Sequence, residues 1–174
     1  RDPELYRQAV GPYIQVIGFG DDLGFQNTLQ VSPALFRSTL KPLLARIYGR
    51  AHALSEARVF LHSCGSVHEL IEDLIEIGVD ILNPVQTAAA GMDPVTLKAR
   101  FGERICFWGG GAEVQGVLPS GSPEEVRADV RRRIEAFAPG GGYVFAPIHN
   151  LQADVPPENI VAMYEEAASL WRGS

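Results

Sequence analysis

Two residues with metal-binding side chains lie two positions apart at the end of an apolar stretch of this sequence. His62 closes the run 58–62, and Cys64 stands directly before Gly65 and a helical pattern. Because side chains alternate along an extended chain, the imidazole and the thiol project from the same face. Both groups are good zinc ligands, so the pair predicts a metal site. A small buried cysteine that fills a core is the alternative interpretation of Cys64.

Polar residues collect in a similar way after the other strand-like runs. Runs rich in β-branched and aromatic residues span 13–18, 59–62, 79–82, 105–108 and 143–148. Helical patterns separate them, and this alternation is typical of βα units with a parallel sheet. The carboxyl ends of such strands meet at one edge, where we expect one common cavity. Its candidate residues are Asp21, Asp22, His62, Cys64, Asn83, Gln86, Gly110, Gln115, His149, Asn150 and Gln152.

The candidate residues differ in the chemistry that they can supply. Asp21 and Asp22 can carry protons or bind a substrate hydroxyl, and capping of the following loop is their structural alternative. Gly110, inside a triple glycine, would let the backbone approach a ligand closely, although a sharp turn also explains it. His149 is either a ligand or a hydrogen-bonded histidine. For Cys106, in mid-strand among apolar residues, we expect a core position.

Start signals for helices follow each predicted strand. Serine or aspartate before proline marks the first turn of a helix, and so does serine followed three positions later by glutamate. They predict helices from Ser32 to about residue 54, from Ser66 to Gly78, from Asp93 to Gly102, from Ser122 onward and from Pro156 to about residue 171.

Composition excludes several classes of protein. The chain has 174 residues, 46% of them hydrophobic, which suits one domain with a substantial core. A net charge of −6 argues against a nucleic-acid partner, and no apolar run reaches the roughly 18 residues of a membrane span. Cys64 and Cys106 give no disulfide framework, so we expect a reducing cytoplasmic location. The chain begins with Arg1 and not with Met, so we expect it to be a piece of a longer protein.

Residues 60–159 resemble the C-terminal part of the uroporphyrinogen decarboxylase superfamily, which includes porphyrinogen decarboxylases and zinc-dependent methyltransferases acting on methylated corrinoid proteins. The similar segments are 62–65, 76–80, 97–102, the glycines after Trp108, 123–126, and His149 followed by 156–159, with 19–42 also similar. The resemblance implies an α/β fold, a (β/α)8 TIM barrel of about twice this length. We therefore expect 1–174 to form the C-terminal part of a single barrel domain, about its last five βα units. An open doubly wound sheet is the alternative that the strand pattern alone allows.

The resemblance also divides the expected function between two branches. In the methyltransferases, a His-X-Cys pair and a distant third thiol hold zinc, which binds the acceptor thiol. His62 and Cys64 match the pair, and His149, also a competent zinc ligand, stands at the third position. In the decarboxylases a histidine at that third position contacts the tetrapyrrole. The proton-handling aspartate and the carboxylate-binding arginines of the decarboxylases belong to an N-terminal part that we expect to lie outside this chain.

We expect a zinc-dependent methyltransferase acting with a corrinoid on a partner protein, with His62, Cys64 and His149 as metal ligands. The alternatives are a metal-free porphyrinogen decarboxylase and a non-catalytic fragment that binds a ligand or a corrinoid. In either enzymatic case we expect the full-length protein to be active, as a methyltransferase or a carboxy-lyase, and this chain alone to be inactive. We also expect self-association or pairing with a missing N-terminal half.

Overall fold

The computed structural model describes residues 11–171. Its strands form one parallel sheet whose spatial order follows the chain: β1 (Val16–Gly20), β2 (Arg58–His62), β3 (Ile81–Asn83), β4 (Cys106–Trp108) and β5 (Tyr143–Val144). Neighbouring strands in sequence are neighbours in space, as in consecutive units of a barrel. A doubly wound sheet would reverse its strand order, so that alternative is wrong.

Helices connect the strands: α1 (Pro33–Leu35), a π-helical segment (Phe36–Leu40), α2 (Lys41–Leu54), α3 (Ile71–Glu76), α4 (Pro94–Phe101), α5 (Val117–Ser120), α6 (Pro123–Phe137) and α7 (Pro157–Trp171). Two of the expected caps form through side-chain acceptors, Ser32 before α1 and Asp93 before α4. Ser122 and Glu125 form the expected capping box at the start of α6. These first turns therefore satisfy backbone N–H groups locally, as their sequences indicate.

The main differences between the expected and the observed strand and helix boundaries lie at three places. Residues 11–13 form a 3-10 turn, so the first strand begins later, at Val16. The last strand ends at Val144 rather than at 148. Ser66 does not cap a helix: its hydroxyl is buried and donates to the Ala90 carbonyl at 2.6 Å, and a 3-10 turn begins at His68 instead.

The two faces of the sheet differ in what covers them. Val59, Leu61 and Phe107 point toward the helices and are buried. On the opposite face Phe60 and Trp108 are half-buried and meet edge-on, with ring centroids 5.5 Å apart. That face also carries His62, Asn83 and Cys106, and Cys106 is half-buried rather than fully enclosed in a core.

The sheet is not closed within residues 11–171. β1 pairs only with β2, and β5 pairs only with β4. In the part of the chain that the structure describes, no helix combines the length and apolarity that crossing a membrane requires.

Candidate metal centre

The side chains of His62, Cys64 and His149 meet at the carboxyl edge of the sheet. Their ligand atoms all lie within 4.8 Å of one another, the one such cluster of metal-ligating groups among residues 11–171. His62 Nε2 is 3.4 Å from Cys64 Sγ, and the two imidazole rings are 6.0 Å apart at an angle of 71°. Tetrahedral zinc needs donor atoms about 3.4 to 3.7 Å apart, so a small side-chain adjustment would complete the geometry. Two imidazoles and one thiol are also a donor set that suits zinc.

Backbone pairing beyond the strands carries His149 to this edge. The Gly111 N–H donates to the Ala146 carbonyl at 2.8 Å, and the Ile148 N–H donates to the Ala112 carbonyl at 3.2 Å. The chain after β5 therefore stays bound to the chain after β4 although regular strand geometry has ended. His149 follows directly, beside the end of β2.

Asn83 binds the first of these ligands. Its Oδ1 lies 2.6 Å from His62 Nδ1, and its Nδ2 donates to the Trp108 carbonyl at 2.9 Å. The residues are partners in the parallel register of β2 and β3, which places both side chains on one face. Asn83 therefore supports the imidazole from the side opposite Nε2.

The two aspartates after β1 contact the same turn in different ways. Asp22 Oδ1 accepts a hydrogen bond from the Cys64 N–H at 2.9 Å. Burial raises the pKa of the Cys64 thiol to about 11, and the Asp22 carboxylate adds to the shift by charge and hydrogen bonding. The Asp21 N–H donates to the His62 carbonyl at 3.0 Å, while its carboxylate is one cause, after burial, of the raised pKa of Tyr48. Only Asp22 thus contacts a proposed ligand through its side chain.

The predicted site residues on the loops after β3 and β4 make mainly supporting contacts. Gln86 is buried and its Oε1 accepts from the Gly65 N–H at 2.9 Å, which holds the turn after Cys64. A Cβ added to Gly110 would lie 3.1 Å from the Phe137 ring, so protein atoms fill the space near this glycine. Gln115 Oε1 lies 3.4 Å from the side-chain nitrogen of Gln26.

The remaining predicted residues follow His149 on an exposed loop. Gln152 Nε2 donates to the Asn150 carbonyl at 3.1 Å, and both side chains are exposed. The structure therefore brings together His62, Cys64, His149, Asn83 and Asp22 in one cluster. The other predicted residues contact the loops around this group or, in the case of Asn150 and Gln152, each other.

A hairpin after β1 belongs to the edge and was not predicted. Gly24 and Leu29 form an antiparallel bridge, and the Phe25 carbonyl accepts from the Ser66 N–H at 2.8 Å. A Cβ on Gly24 would lie 2.7 Å from that nitrogen, so the close crossing of the two loops depends on glycine. Gln26 at the hairpin tip then reaches Gln115. No spacing in the sequence signals this crossing.

Arg133 on α6 is the second contributor that sequence reasoning missed. Its guanidinium donates to Asp129 at 2.7 Å, to the Thr87 hydroxyl, and to the Gly110 carbonyl at 3.3 Å. It therefore ties the loop after β3 to the loop after β4. Asp129 and Arg133 are four positions apart beside the buried stripe of α6, and this spacing was the available signal.

Solved structures contain the same fold. A methyltransferase from Methanosarcina mazei matches with a TM-score of 0.71 and 22% identity, over 97% of this chain and 46% of that chain. At this identity the likeness establishes the fold, an α/β architecture that matches part of a TIM barrel. This chain thus spans about half the length of that structure.

Curated relatives match a narrower stretch. Uroporphyrinogen decarboxylase of Thioalkalivibrio sulfidiphilus (strain HL-EbGR7) is 30% identical over 96 residues, 55% of this chain and 25% of the relative. That of Vibrio campbellii (strain ATCC BAA-1116) is 34% identical over 95 residues, 49% of this chain and 26% of the relative. These matches cover about a quarter of each relative. The family model "Uroporphyrinogen decarboxylase (URO-D)" matches residues 4–170, nearly the whole chain, and the chain therefore belongs to the uroporphyrinogen decarboxylase family.

Proposed function

We propose that the whole protein is a zinc-dependent methyltransferase that acts with a methylated corrinoid protein. The observation that carries this proposal is the meeting of His62, Cys64 and His149, with ligand atoms within 4.8 Å of one another. A metal-free decarboxylase needs no thiol ligand, whereas a His-Cys-His cluster suits a metal that holds a nucleophile. The structural neighbour described as a methyltransferase supports the same choice.

The side chains of the site have three proposed roles, which are metal binding, orientation of a metal ligand and proton transfer. When bound, zinc would lower the pKa of a thiol or water substrate, and the resulting anion would take the methyl group from the corrinoid cobalt, which would keep the electron pair of the broken Co–C bond. His62, Cys64 and His149 would hold the metal, and Asn83 orients His62 through the 2.6 Å contact. Asp22 holds the turn of Cys64 by accepting its N–H.

The remaining polar residues of this edge are proposed to contact the substrate or its protons. Asp21 and Asp22, both exposed, are the proposed proton carriers at the mouth of the site. Gln115, Asn150 and Gln152 also present exposed polar side chains and are the proposed substrate contacts.

Zinc binding by the whole protein, purified without chelator, tests the proposal. Elemental analysis is expected to find one zinc per chain. Cys64→Ser removes a ligand and is expected to lower zinc affinity by more than about 100-fold, since loss of a residue that merely supports a ligand already costs 10–100-fold. Cys106→Ser is the matched control, because this thiol starts β4 outside the cluster. Absence of zinc, or equal losses in both variants, would reject the metal site.

A turnover assay tests the reaction itself. The zinc-loaded protein is expected to demethylate methylcobalamin in the presence of a thiol acceptor, followed by the change in the absorption spectrum of the corrinoid. Cys64→Ser is expected to abolish this change. Zinc binding without methyl transfer from any corrinoid donor would retain the metal site and reject the methyltransferase.

A metal-free porphyrinogen decarboxylase is the second candidate, favoured by the curated relatives, which are uroporphyrinogen decarboxylases. In it His149 and the exposed Asp21 or Asp22 would contact a polycarboxylated tetrapyrrole, and protonation of a carbanion would be the central step. Decarboxylation of uroporphyrinogen by zinc-free protein, undiminished in Cys64→Ser, would select this function over the first.

A further inference from the structure

We propose that Asn83 is a positioning residue that fixes the tautomer of His62 and keeps the lone pair of Nε2 directed at the metal position. The inference rests on the proposed zinc site and concerns how the protein prepares it before any metal arrives. It depends on three groups at the ends of β2, β3 and β4: His62, Asn83 and Trp108.

The orientation of the Asn83 amide follows from its partner on β4. The Trp108 carbonyl can only accept a hydrogen bond, and the Asn83 side chain lies 2.9 Å from it through Nδ2. The amide nitrogen must face this carbonyl, because the opposite orientation would place two oxygens against each other. The amide oxygen therefore faces β2.

The tautomer of His62 follows from that orientation. Asn83 Oδ1 lies 2.6 Å from His62 Nδ1, and an amide oxygen can only accept. Nδ1 must therefore carry the proton. A neutral imidazole has one N–H, so Nε2 keeps its lone pair, and Nε2 is the nitrogen 3.4 Å from Cys64 Sγ.

The backbone holds this chain of contacts in place. His62 and Asn83 are register partners, and the Ser63 N–H donates to the Asn83 carbonyl at 2.7 Å. On the other side β3 pairs with β4 through Leu82 and Phe107, directly before Asn83 and Trp108. The amide thus spans three adjacent strands whose spacing is set by their ladders, and it has little freedom to turn over.

Removing the acceptor should free the imidazole to adopt the other tautomer, in which the proton on Nε2 occupies the metal position. Asn83→Leu keeps a similar volume but lacks the oxygen, so zinc affinity is expected to fall 10–100-fold, the usual cost of losing a supporting hydrogen bond. Asn83→Asp retains an acceptor for Nδ1–H but sets its second oxygen against the Trp108 carbonyl, so it is expected to recover only part of the lost affinity. Asn27→Leu, an exposed asparagine of the hairpin after β1, is the matched control and is expected to bind like the parent protein.

The tautomer can be read without any metal. In the chelator-stripped whole protein, labelled with ¹⁵N-histidine, His62 is expected to show a protonated Nδ1 and an unprotonated Nε2, its signals assigned by their loss in His62→Gln. Asn83→Leu is expected to shift the signals toward the Nε2–H form, and Asn83→Asp is expected to keep the Nδ1–H form.

The outcomes separate this inference from the proposed function. A parent protein whose metal-free His62 carries its proton on Nε2 overturns the inference, and this result needs no variant to fold. Unchanged tautomer and unchanged zinc affinity in Asn83→Leu also overturn it. An Nδ1–H tautomer that depends on Asn83, in a protein that binds no zinc, supports the positioning role and rejects the metal site instead.

Discussion

His62 and Cys64 share a face because the two-residue repeat of the extended chain continues past the end of β2. Between them Ser63 is buried and its hydroxyl accepts from the Leu23 N–H at 3.0 Å, so the intervening side chain points the opposite way. This alternation acts within three residues, and the sequence therefore predicted it. His149 joins the pair only because β5 and its loop run beside β4, which no local pattern specifies.

Glycine at position 109 allows the loop after β4 to approach the loop after β3 beside this cluster. Gly109 has φ +120°, and a Cβ there would lie 2.0 Å from the Pro84 carbonyl oxygen. Gly140, with φ +77° and no atom within 4 Å of its added Cβ, is the matched control. Gly140→Ala is expected to cost about 1–2 kcal/mol from its backbone angle alone. Gly109→Ala is expected to cost clearly more and to weaken zinc binding, because Pro84 would displace Asn83.

Urea denaturation of both variants measures these costs. Equal losses of the free energy of unfolding in the two variants would show that the backbone angle, and not the contact with Pro84, limits position 109.

Helix start signals succeeded where the cap lies at the surface and failed where it is buried. Ser122 is exposed and forms its capping box with Glu125. Ser66 has the same spacing to Glu69, but it is buried beside the loop after β3 and bonds to Ala90. A local signal thus decides a helix start only when no tertiary partner competes for the side chain.

α6 influences the site through Arg133, which binds the loops after β3 and β4. Its side chain is 14% exposed and pairs with the buried Asp129, whereas that of Arg132 is 72% exposed and pairs with the same carboxylate. Arg133→Ala is expected to destabilise the protein by about 3 kcal/mol, because a buried carboxylate loses its main partner. Arg132→Ala is expected to cost less than about 1 kcal/mol, as an exposed ion pair does.

Thermal or urea unfolding compares the two arginine variants. A loss in Arg132→Ala as large as that in Arg133→Ala would contradict the role assigned to the buried contacts. Zinc affinity should follow the same order, because only Arg133 reaches Thr87 and Gly110.

The parallel sheet leaves two strand edges without partners among residues 11–171, one on β1 and one on β5. Unpaired N–H and C=O groups of an edge strand are a template for pairing with another chain. The sheet face that points away from the helices carries Phe60 and Trp108, which are half-buried, and it is therefore covered less than the face toward the helices. Both features favour association with further βα units or with a second copy.

We therefore expect residues 1–174, prepared alone, to associate as concentration rises, measured by sedimentation velocity. Val16→Lys places a charge on the edge strand β1 and is expected to reduce the association. Val95→Lys, on the exposed face of the central helix α4, is the control and should have no effect. A monomer at every concentration would contradict this expectation.

Patterns that act over a few residues were determined by the sequence itself: strand and helix alternation, the caps at Ser32, Asp93 and Ser122, and the shared face of His62 and Cys64. The tertiary structure decided what depends on segments far apart in the chain. It placed His149 against His62, turned the Asn83 amide toward Trp108, and moved Ser66 from a cap to a buried contact. The physical reason is that alternation and capping act through neighbouring peptide units, whereas these contacts exist only after parallel strands have paired and brought their carboxyl ends together.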